Sequence, residues 1–303
     1  MVKFKDKYNW LNQFTIRDIE NLTGIKAHTL RTWEKRYGII IPPTLPGKHR
    51  VYDNNDLKHI LRISLLYHYG FKISKIADMS VEEMMAATIQ IEKKSNFEVF
   101  INRLIEFSID FNEQEFKQLV AELKETMDQK DLIIHVLFPF LVKLGQLWTI
   151  NSISPVQEHF ASTLVRNELI RSINALPLVQ RSAGPLVLLF CPHNEHHELP
   201  LLFCNYLLRK NKFPTRYLGV NASLESIDQA VKKTQPDVVL AYLITNFTDS
   251  TANDLARDLQ KACGEIKLAL AGPGFGSADA LPEKTTSIRS LNKLIRFCET
   301  LSC

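Results

Sequence analysis

Near residue 185 the apolar pattern of this chain changes period, and nothing else in the sequence narrows its fold as much. Before that point apolar residues recur at helical spacing: Ile16, Ile19 and Leu22; Leu30, Trp33 and Tyr37; Phe100, Leu104 and Phe107; Phe116, Leu119 and Leu123. A helix needs such a stripe to bury one face. After it come short, wholly apolar runs, beginning with LVLLF at 186–190, separated by polar stretches of helix length. Strands of a parallel sheet read that way because helices cover both of its faces. Strands are predicted at 186–190, Thr215–Leu218, Val238–Leu243, Lys267–Ala271 and Ser287–Arg289, with helices at 198–210, Leu224–Lys233, Ala252–Ala262 and Leu291–Leu301. The alternation argues for an open parallel sheet whose ligands sit beyond the carboxyl ends of the strands.

The N-terminal quarter is punctuated differently. Thr15, three residues before Asp18, is a weak capping box for a first helix that Gly24 ends, and a second helix runs from near Lys26 to Gly38. Pro42, Pro43, Pro46 and Gly47 forbid a helix over 42–52 and favour an extended turn or small hairpin. Asp53 or Asn54 caps a third helix, closed by Gly70, that carries Leu57, Ile60, Leu61, Leu65 and Leu66. Helix, tight turn, helix and basic wing is the order of a winged helix-turn-helix. In the middle, the apolar run Leu132–Trp148 belongs inside a bundle, and Ser154 with Pro155 opens the last of four long helices. Prolines and Gly184 mark 176–185 as a linker. The predicted fold class is multidomain α and α/β: a winged helix-turn-helix at 1–79, a four-helix bundle at 80–178, and a flavodoxin-like parallel sheet domain at 185–303.

Charge is unevenly spread. Residues 1–75 hold fourteen Lys and Arg against six Asp and Glu, 76–176 nine against fifteen, and 177–303 fourteen against twelve. A basic head beside an acidic middle suits one region meeting a polyanion while the rest stays clear of it. The cysteines Cys191, Cys204, Cys263, Cys298 and Cys303 are odd in number and widely spaced, which fits neither a disulfide framework nor a structural zinc site. No apolar run follows the charged start of the chain, and no stretch is expected to be long enough to cross a bilayer, so a cytoplasmic location without membrane partners is predicted. No Ser/His/Asp set, zinc-protease helix or phosphate-binding Walker loop is present, and no enzymatic activity is predicted.

The second helix turns Lys26, His28, Thr29, Arg31, Lys35 and Arg36 away from its apolar stripe, and the loop adds Lys48, His49 and Arg50. Lys26, His28 and Thr29, near the helix start, are placed for base edges in a major groove, and the arginines for phosphates. A solvated face on a small helical domain is the plain alternative. The run TLRTWEKRYG at 29–38, the proline loop and Arg50-Val-Tyr52 together resemble the DNA-binding domain of the MerR family. The resemblance implies phosphate contacts by Arg31, Arg36 and Arg50, a wing supported by Tyr52, and Trp33 paired with Glu34, Trp33 lying in the core. One departure is that Pro43 and Thr44 stand where an arginine is often found after the proline loop begins.

Residues 80–303 resemble a cobalamin-binding module, a helical cap over a Rossmann-like domain, of the kind found in light-responsive MerR-type repressors. The likeness rests on Leu147-Trp148, on VQEHFAS at 156–162, and on Glu195-His-His197-Glu-Leu-Pro200 directly after the first strand. It implies that His197 ligates cobalt beneath the ring with Glu195 orienting it, and that Trp148, Glu158 and His159 face the upper side. Imidazole is a good ligand for that metal, and a carboxylate on its other nitrogen sets the tautomer. A loop with incidental metal affinity, His193 and His196 included, and a Trp148 lying in the bundle core are the simpler readings. Three positions depart from the pattern: Pro200 and Ala241 replace a glycine and a serine, and the expected double glycine is reduced to Ala271-Gly272. All three belong to the slot for the nucleotide tail. Adenosylcobalamin, another cobalamin and no cofactor at all therefore stay open.

The function expected is a sequence-specific DNA-binding regulator of the repressor type. It would bind palindromic double-stranded operators as a dimer or tetramer, with signal input through the C-terminal module. The alternatives are a regulator whose module binds no cofactor and docks a regulatory protein, and a corrinoid-dependent enzyme subunit.

Overall fold

A computed structural model of the chain describes residues 14–39, 51–92, 97–149, 153–245, 251–276, 278 and 281–301. Two compact units divide it, Met1–Leu164 and Val165–Cys303.

The first unit is helical. It comprises α1 (Ile16–Thr23), α2 (Ala27–Tyr37), α3 (Asn54–His68), α4 (Ile73–Ala77), α5 (Val81–Glu92), α6 (Phe97–Ile109), α7 (Glu113–Thr126), the short α8 (Gln129–Leu132), α9 (Phe138–Thr149) and the start of α10 (Pro155–Asn174). A π-helical segment, Ile133–Leu137, joins α8 to α9. The predicted caps are present. Thr15 and Asp18 form a complete capping box, Asp53 and Asp56 another, and Gly24 ends α1 at φ 69°. Each cap satisfies amides that the first turn leaves without partners.

Two expectations for this unit need correction. On α6 the buried face is Val99, Ile101, Asn102, Leu104, Ile105, Ser108 and Ile109, while Phe100 and Phe107 are only half-buried. Because α6 packs against α3 and α5 as well as against α7 and α9, its covered arc is wider than a single stripe. The second concerns membranes. The helical run Gln129–Trp148 spans 20 residues at mean hydropathy 1.4, long and apolar enough by length and composition to cross one. Here its apolar side chains Leu132, Ile133, Val136, Leu137, Phe140, Leu144 and Leu147 are buried in the bundle, each contributing about 1.5–3 kcal/mol of burial.

In the second unit five parallel strands, β1 (Val187–Pro192), β2 (Thr215–Ala222), β3 (Val238–Tyr242), β4 (Lys267–Ala271) and β5 (Thr285–Ile288), stand in the order β2-β1-β3-β4-β5. Helices α11 (Glu198–Lys210), α12 (Leu224–Thr234), α13 (Ala252–Cys263) and α14 (Leu291–Glu299) complete it. Leu188, Phe190, Val239, Ala241, Leu268 and Leu270 pack on one sheet face with Ile227 and Val231 of α12 and Ala256 and Leu259 of α13. Helix α11 packs against α14 and lies on β1 and β2. The predicted alternation of strand and helix is what forms, but two edges shift. β2 continues four residues past Leu218, and β5 starts at Thr285 and stops before Arg289. Both are edge strands with alternating exposure, so an apolar run does not mark their ends. The chain order reverses at β1, which has β2 on one side and β3 on the other. That reversal opens a crevice at the carboxyl ends of β1 and β3.

Candidate functional site

In the helical unit, Leu30 and Trp33 turn inward from α2, and the Trp33 ring meets Tyr67 edge-on at 4.7 Å. That burial leaves His28, Arg31, Thr32, Lys35 and Arg36 exposed on the other face, with Thr29 half-buried between them. Arg36 lies 5.7 Å from the centre of the Tyr37 ring. Lys26 provides no side-chain cap at the helix start. Glu20 does so from α1: one carboxylate oxygen accepts from the Ala27 amide at 3.0 Å and the other from Lys26 Nζ at 2.9 Å. The Lys26 bond is the main reason the Glu20 carboxyl sits below its ordinary value, with the Ala27 amide second.

Tyr52 is buried, 1% exposed, and its hydroxyl donates to the Glu34 carboxylate. Its backbone exchanges hydrogen bonds with Phe14 at 2.8 and 2.9 Å, an antiparallel bridge that ties the chain returning from the loop to the chain entering α1. The placement is that of a support and offers no surface to a ligand. Lys48, His49 and Arg50 lie outside the described residues.

The cap residues also belong to this unit. Leu147 is fully buried, whereas Trp148 is 51% exposed, which removes the reading of Trp148 as a bundle core residue. Gln157 anchors the start of α10: its carbonyl accepts from the Ser154 amide at 2.9 Å and its Nε2 donates to the Ile109 carbonyl at 2.9 Å. The neighbouring Glu158 and His159 are therefore held on the outer side, Nδ1 of His159 lying 2.9 Å from Oε2 of Glu158.

In the α/β unit the loop after β1 builds a second arrangement. Asn194 takes a left-handed φ of 64°, and its amide donates to Asn221 at 2.9 Å. The turn drives the Glu195 side chain inward until it has no solvent exposure. There it accepts four hydrogen bonds: from the His197 amide at 2.8 Å, His197 Nδ1 at 2.6 Å, the Ile244 amide at 2.6 Å and the Thr245 amide at 3.0 Å. Burial works to raise this carboxyl, but the hydrogen bonds outweigh it and hold Glu195 below the ordinary carboxylate range. An ionised carboxylate only accepts, so Nδ1 is the nitrogen that donates to Glu195 and Nε2 is the one turned away from it. The His197 side chain is half exposed. Next to it, Glu198 accepts from Tyr217 Oη at 3.0 Å and pairs with Arg166.

Among the described residues no group of three His, Cys, Asp or Glu side chains is placed to hold a metal ion. His193 and His196 point to solvent. A single oriented imidazole suits a metal whose other positions are already filled by a macrocycle. Glu195 and His197 thus fit a corrinoid, whose cobalt Nε2 of His197 would hold. The turn after β4 is tightly packed against the end of β3. A Cβ at Gly272 would stand 2.3 Å from the Leu243 carbonyl oxygen and 3.0 Å from Cε1 of Tyr242, and one at Gly274 would stand 2.6 Å from Cγ of Leu243. Ala241 is fully buried in the sheet core, and Pro200 occupies the first turn of α11. Cys191, Cys204 and Cys298 are fully buried too, and burial lifts the Cys191 thiol to about 12.

Residues 14–82 match the MerR HTH family of regulatory proteins, and residues 100–169 match the B12 binding domain family. The chain carries a MerR-type DNA-binding domain. It is homologous to two proteins of Myxococcus xanthus. One is the HTH-type transcriptional repressor CarH, 24% identical over 89% of this chain and 92% of that one; the other is the repressor CarA, 26% identical over 86% of each. Among solved structures, a monomethylamine corrinoid protein of Methanosarcina barkeri superposes with a TM-score of 0.51 at 16% identity, covering 67% of this chain and 99% of that one. That likeness shows the fold. With a MerR reader and repressors as relatives, the chain is a DNA-binding transcription regulator and the enzyme-subunit alternative falls away.

Some of the working parts were not evident in the sequence. Glu20 as the cap of α2, and the Ile244 and Thr245 amides as partners of Glu195, depend on contacts across 7, 49 and 50 residues. Only the acid two positions before His197 was a readable signal.

Proposed function

We propose that this chain is a cytoplasmic repressor. It binds palindromic operators as a dimer or higher oligomer, reads them with the outer face of α2, and takes a corrinoid, adenosylcobalamin in the first instance, as its input at His197. The exposed cationic face of α2 supports the DNA part: Arg31, Lys35 and Arg36 stand opposite the buried Leu30 and Trp33. Lys26, His28 and Thr29 at the helix start face the base edges, and Lys48, His49 and Arg50 reach flanking phosphate. One winged helix covers a half-site, so specificity on a palindrome calls for two-fold pairing.

The observation that carries the corrinoid part is the buried Glu195 carboxylate fixing the tautomer of His197. A bound corrinoid would supply a cobalt for Nε2 of His197 to hold and a ring that absorbs visible light. The protein's own part is to orient that nitrogen through the Nδ1–Glu195 hydrogen bond.

Selection of duplexes from a random pool by the full chain tests the DNA part, with an inverted repeat expected and a single unpaired half-site contrary to it. For the cofactor, absorbance spectra of the desalted protein after dark incubation with adenosylcobalamin, then after green light, should show a retained corrinoid that changes on illumination. No retained corrinoid would leave a regulator whose module answers to a protein partner.

A further inference from the structure

The helical unit holds a pocket of 260 Å³ where α1, α3 and α6 meet. Leu22 of α1 with Leu61 and Leu65 of α3 gives it an apolar wall. Thr23, Ser64 and Asn102 are its buried polar residues, while His68, Tyr69 and Glu98 keep more contact with solvent. Helices α1 and α3 belong to the MerR-type segment, and α6 opens the bundle that follows it. The pocket therefore lies on the junction of the DNA reader with the bundle.

Most of its polar groups are already served. The Thr23 hydroxyl donates to the Ile19 carbonyl at 2.7 Å and accepts from the Ile25 amide at 3.2 Å. The Thr23 carbonyl accepts from Ser64 Oγ at 3.3 Å and from His68 Nε2 at 2.9 Å. Asn102 differs. It is 7% exposed, and among the described residues its Oδ1 has no hydrogen-bond partner. A covered amide oxygen in that condition destabilises the fold that contains it, and a donor entering the pocket would relieve the cost. Glu98 provides a second acceptor. It stands four residues before Asn102 on α6, so the two share one face of the helix. The Glu98 carboxylate pairs with Lys143, and its charge is felt at Tyr69, whose phenol is raised first by burial and then by Glu98.

We propose that this pocket binds a small primary amine, whose ammonium group donates to Asn102 Oδ1 and to the Glu98 carboxylate while its apolar body rests on Leu22, Leu61 and Leu65. An ammonium group carries three donors and no acceptor, which matches an unmet oxygen and a carboxylate one helical turn apart. A cavity of about 150 Å³ takes benzene, so this one has room for a ring with a short chain. The ligand touches α1 and α3 on one side and α6 on the other, and its binding stabilises that junction. The site stands on residues of the helical unit and does not rest on the corrinoid reading.

Calorimetric titration of the full chain with phenethylamine tests this, with phenethyl alcohol and hydrocinnamate as comparisons of similar size. Saturable one-to-one binding with a Kd of about 1 mM or tighter is expected for the amine, with the alcohol about tenfold weaker and no binding of the carboxylate. Asn102→Leu puts an apolar chain of similar size in place of the unmet amide. It is expected to weaken the amine at least about tenfold while raising the melting temperature of the chain without ligand, which separates loss of binding from loss of fold. Glu98→Gln should bring the amine down to the affinity of the alcohol. No saturable binding of the amine, hydrocinnamate binding as tightly as the amine, or unchanged amine binding in both variants overturns the proposal.

Discussion

Glu195 is the residue on which the α/β site depends. Its two oxygens take four donors in a place closed to solvent. Glu195→Gln offers one acceptor oxygen and turns an NH2 group toward donors, so a loss of about 1–3 kcal/mol is expected in urea unfolding at neutral pH. An unchanged midpoint would mean that the network orients His197 without stabilising the unit. The pH dependence has a definite sign. In the unfolded chain this carboxyl titrates near its ordinary value, about 4.3, and in the folded chain below it. The stabilisation is therefore complete above the unfolded value and disappears as pH falls through the folded one. The gap between wild type and Glu195→Gln should hold steady from about pH 7 to 5 and shrink toward about pH 3. A gap that widened on acidification would contradict this assignment.

Among the elements, α3 and α6 form the junction between the DNA reader and the bundle. Arg62 and Glu106 pair across it at 2.5 Å with both side chains largely covered, and Lys58 reaches Asp110 at 2.8 Å near the edge. Burial raises the Glu106 carboxyl by more than Arg62 lowers it, a measure of how little water reaches the pair. Removing one member leaves a covered charge without its counterion, whereas replacing both by apolar side chains removes the charge altogether. Arg62→Met is expected to destabilise the chain by about 3–5 kcal/mol, and Arg62→Met with Glu106→Leu by much less. Thermal melts of the two variants decide this; equal losses would show that the pair's value lies in packing. The junction was not visible beforehand, because Arg62 and Glu106 sit on helices that read as separate stripes, 44 residues apart.

For the whole molecule, the basic charge of residues 1–75 and the acidic charge of the bundle direct DNA to one end of the sequence. Association through phosphates releases counterions, so operator affinity should fall steeply with salt. Arg31→Ala is expected to weaken binding to every duplex alike and to reduce the magnitude of the log K against log salt slope by about 1. Fluorescence anisotropy over a salt series checks it. A loss confined to one operator position would instead place Arg31 on a base edge.

Periodicity alone determined the succession of helices followed by a parallel sheet, and local chemistry determined the caps at Thr15 and Asp53, because these depend on neighbours within four residues. The MerR segment and the Glu195–His197 pair were legible for the same reason, their motifs being contiguous. Tertiary structure decided what distance in the chain conceals. The exposure of Trp148 depends on which face of α9 the bundle leaves uncovered, the ends of β2 and β5 on their position at the sheet edges, and the donors to Glu195 on the strand that lies beside β1. The departures at Pro200, Ala241 and Gly272 could be read as lost motif positions. That Gly272 and Gly274 lie so close to Leu243, and Gly272 to Tyr242, was decided only by packing between the ends of β3 and β4.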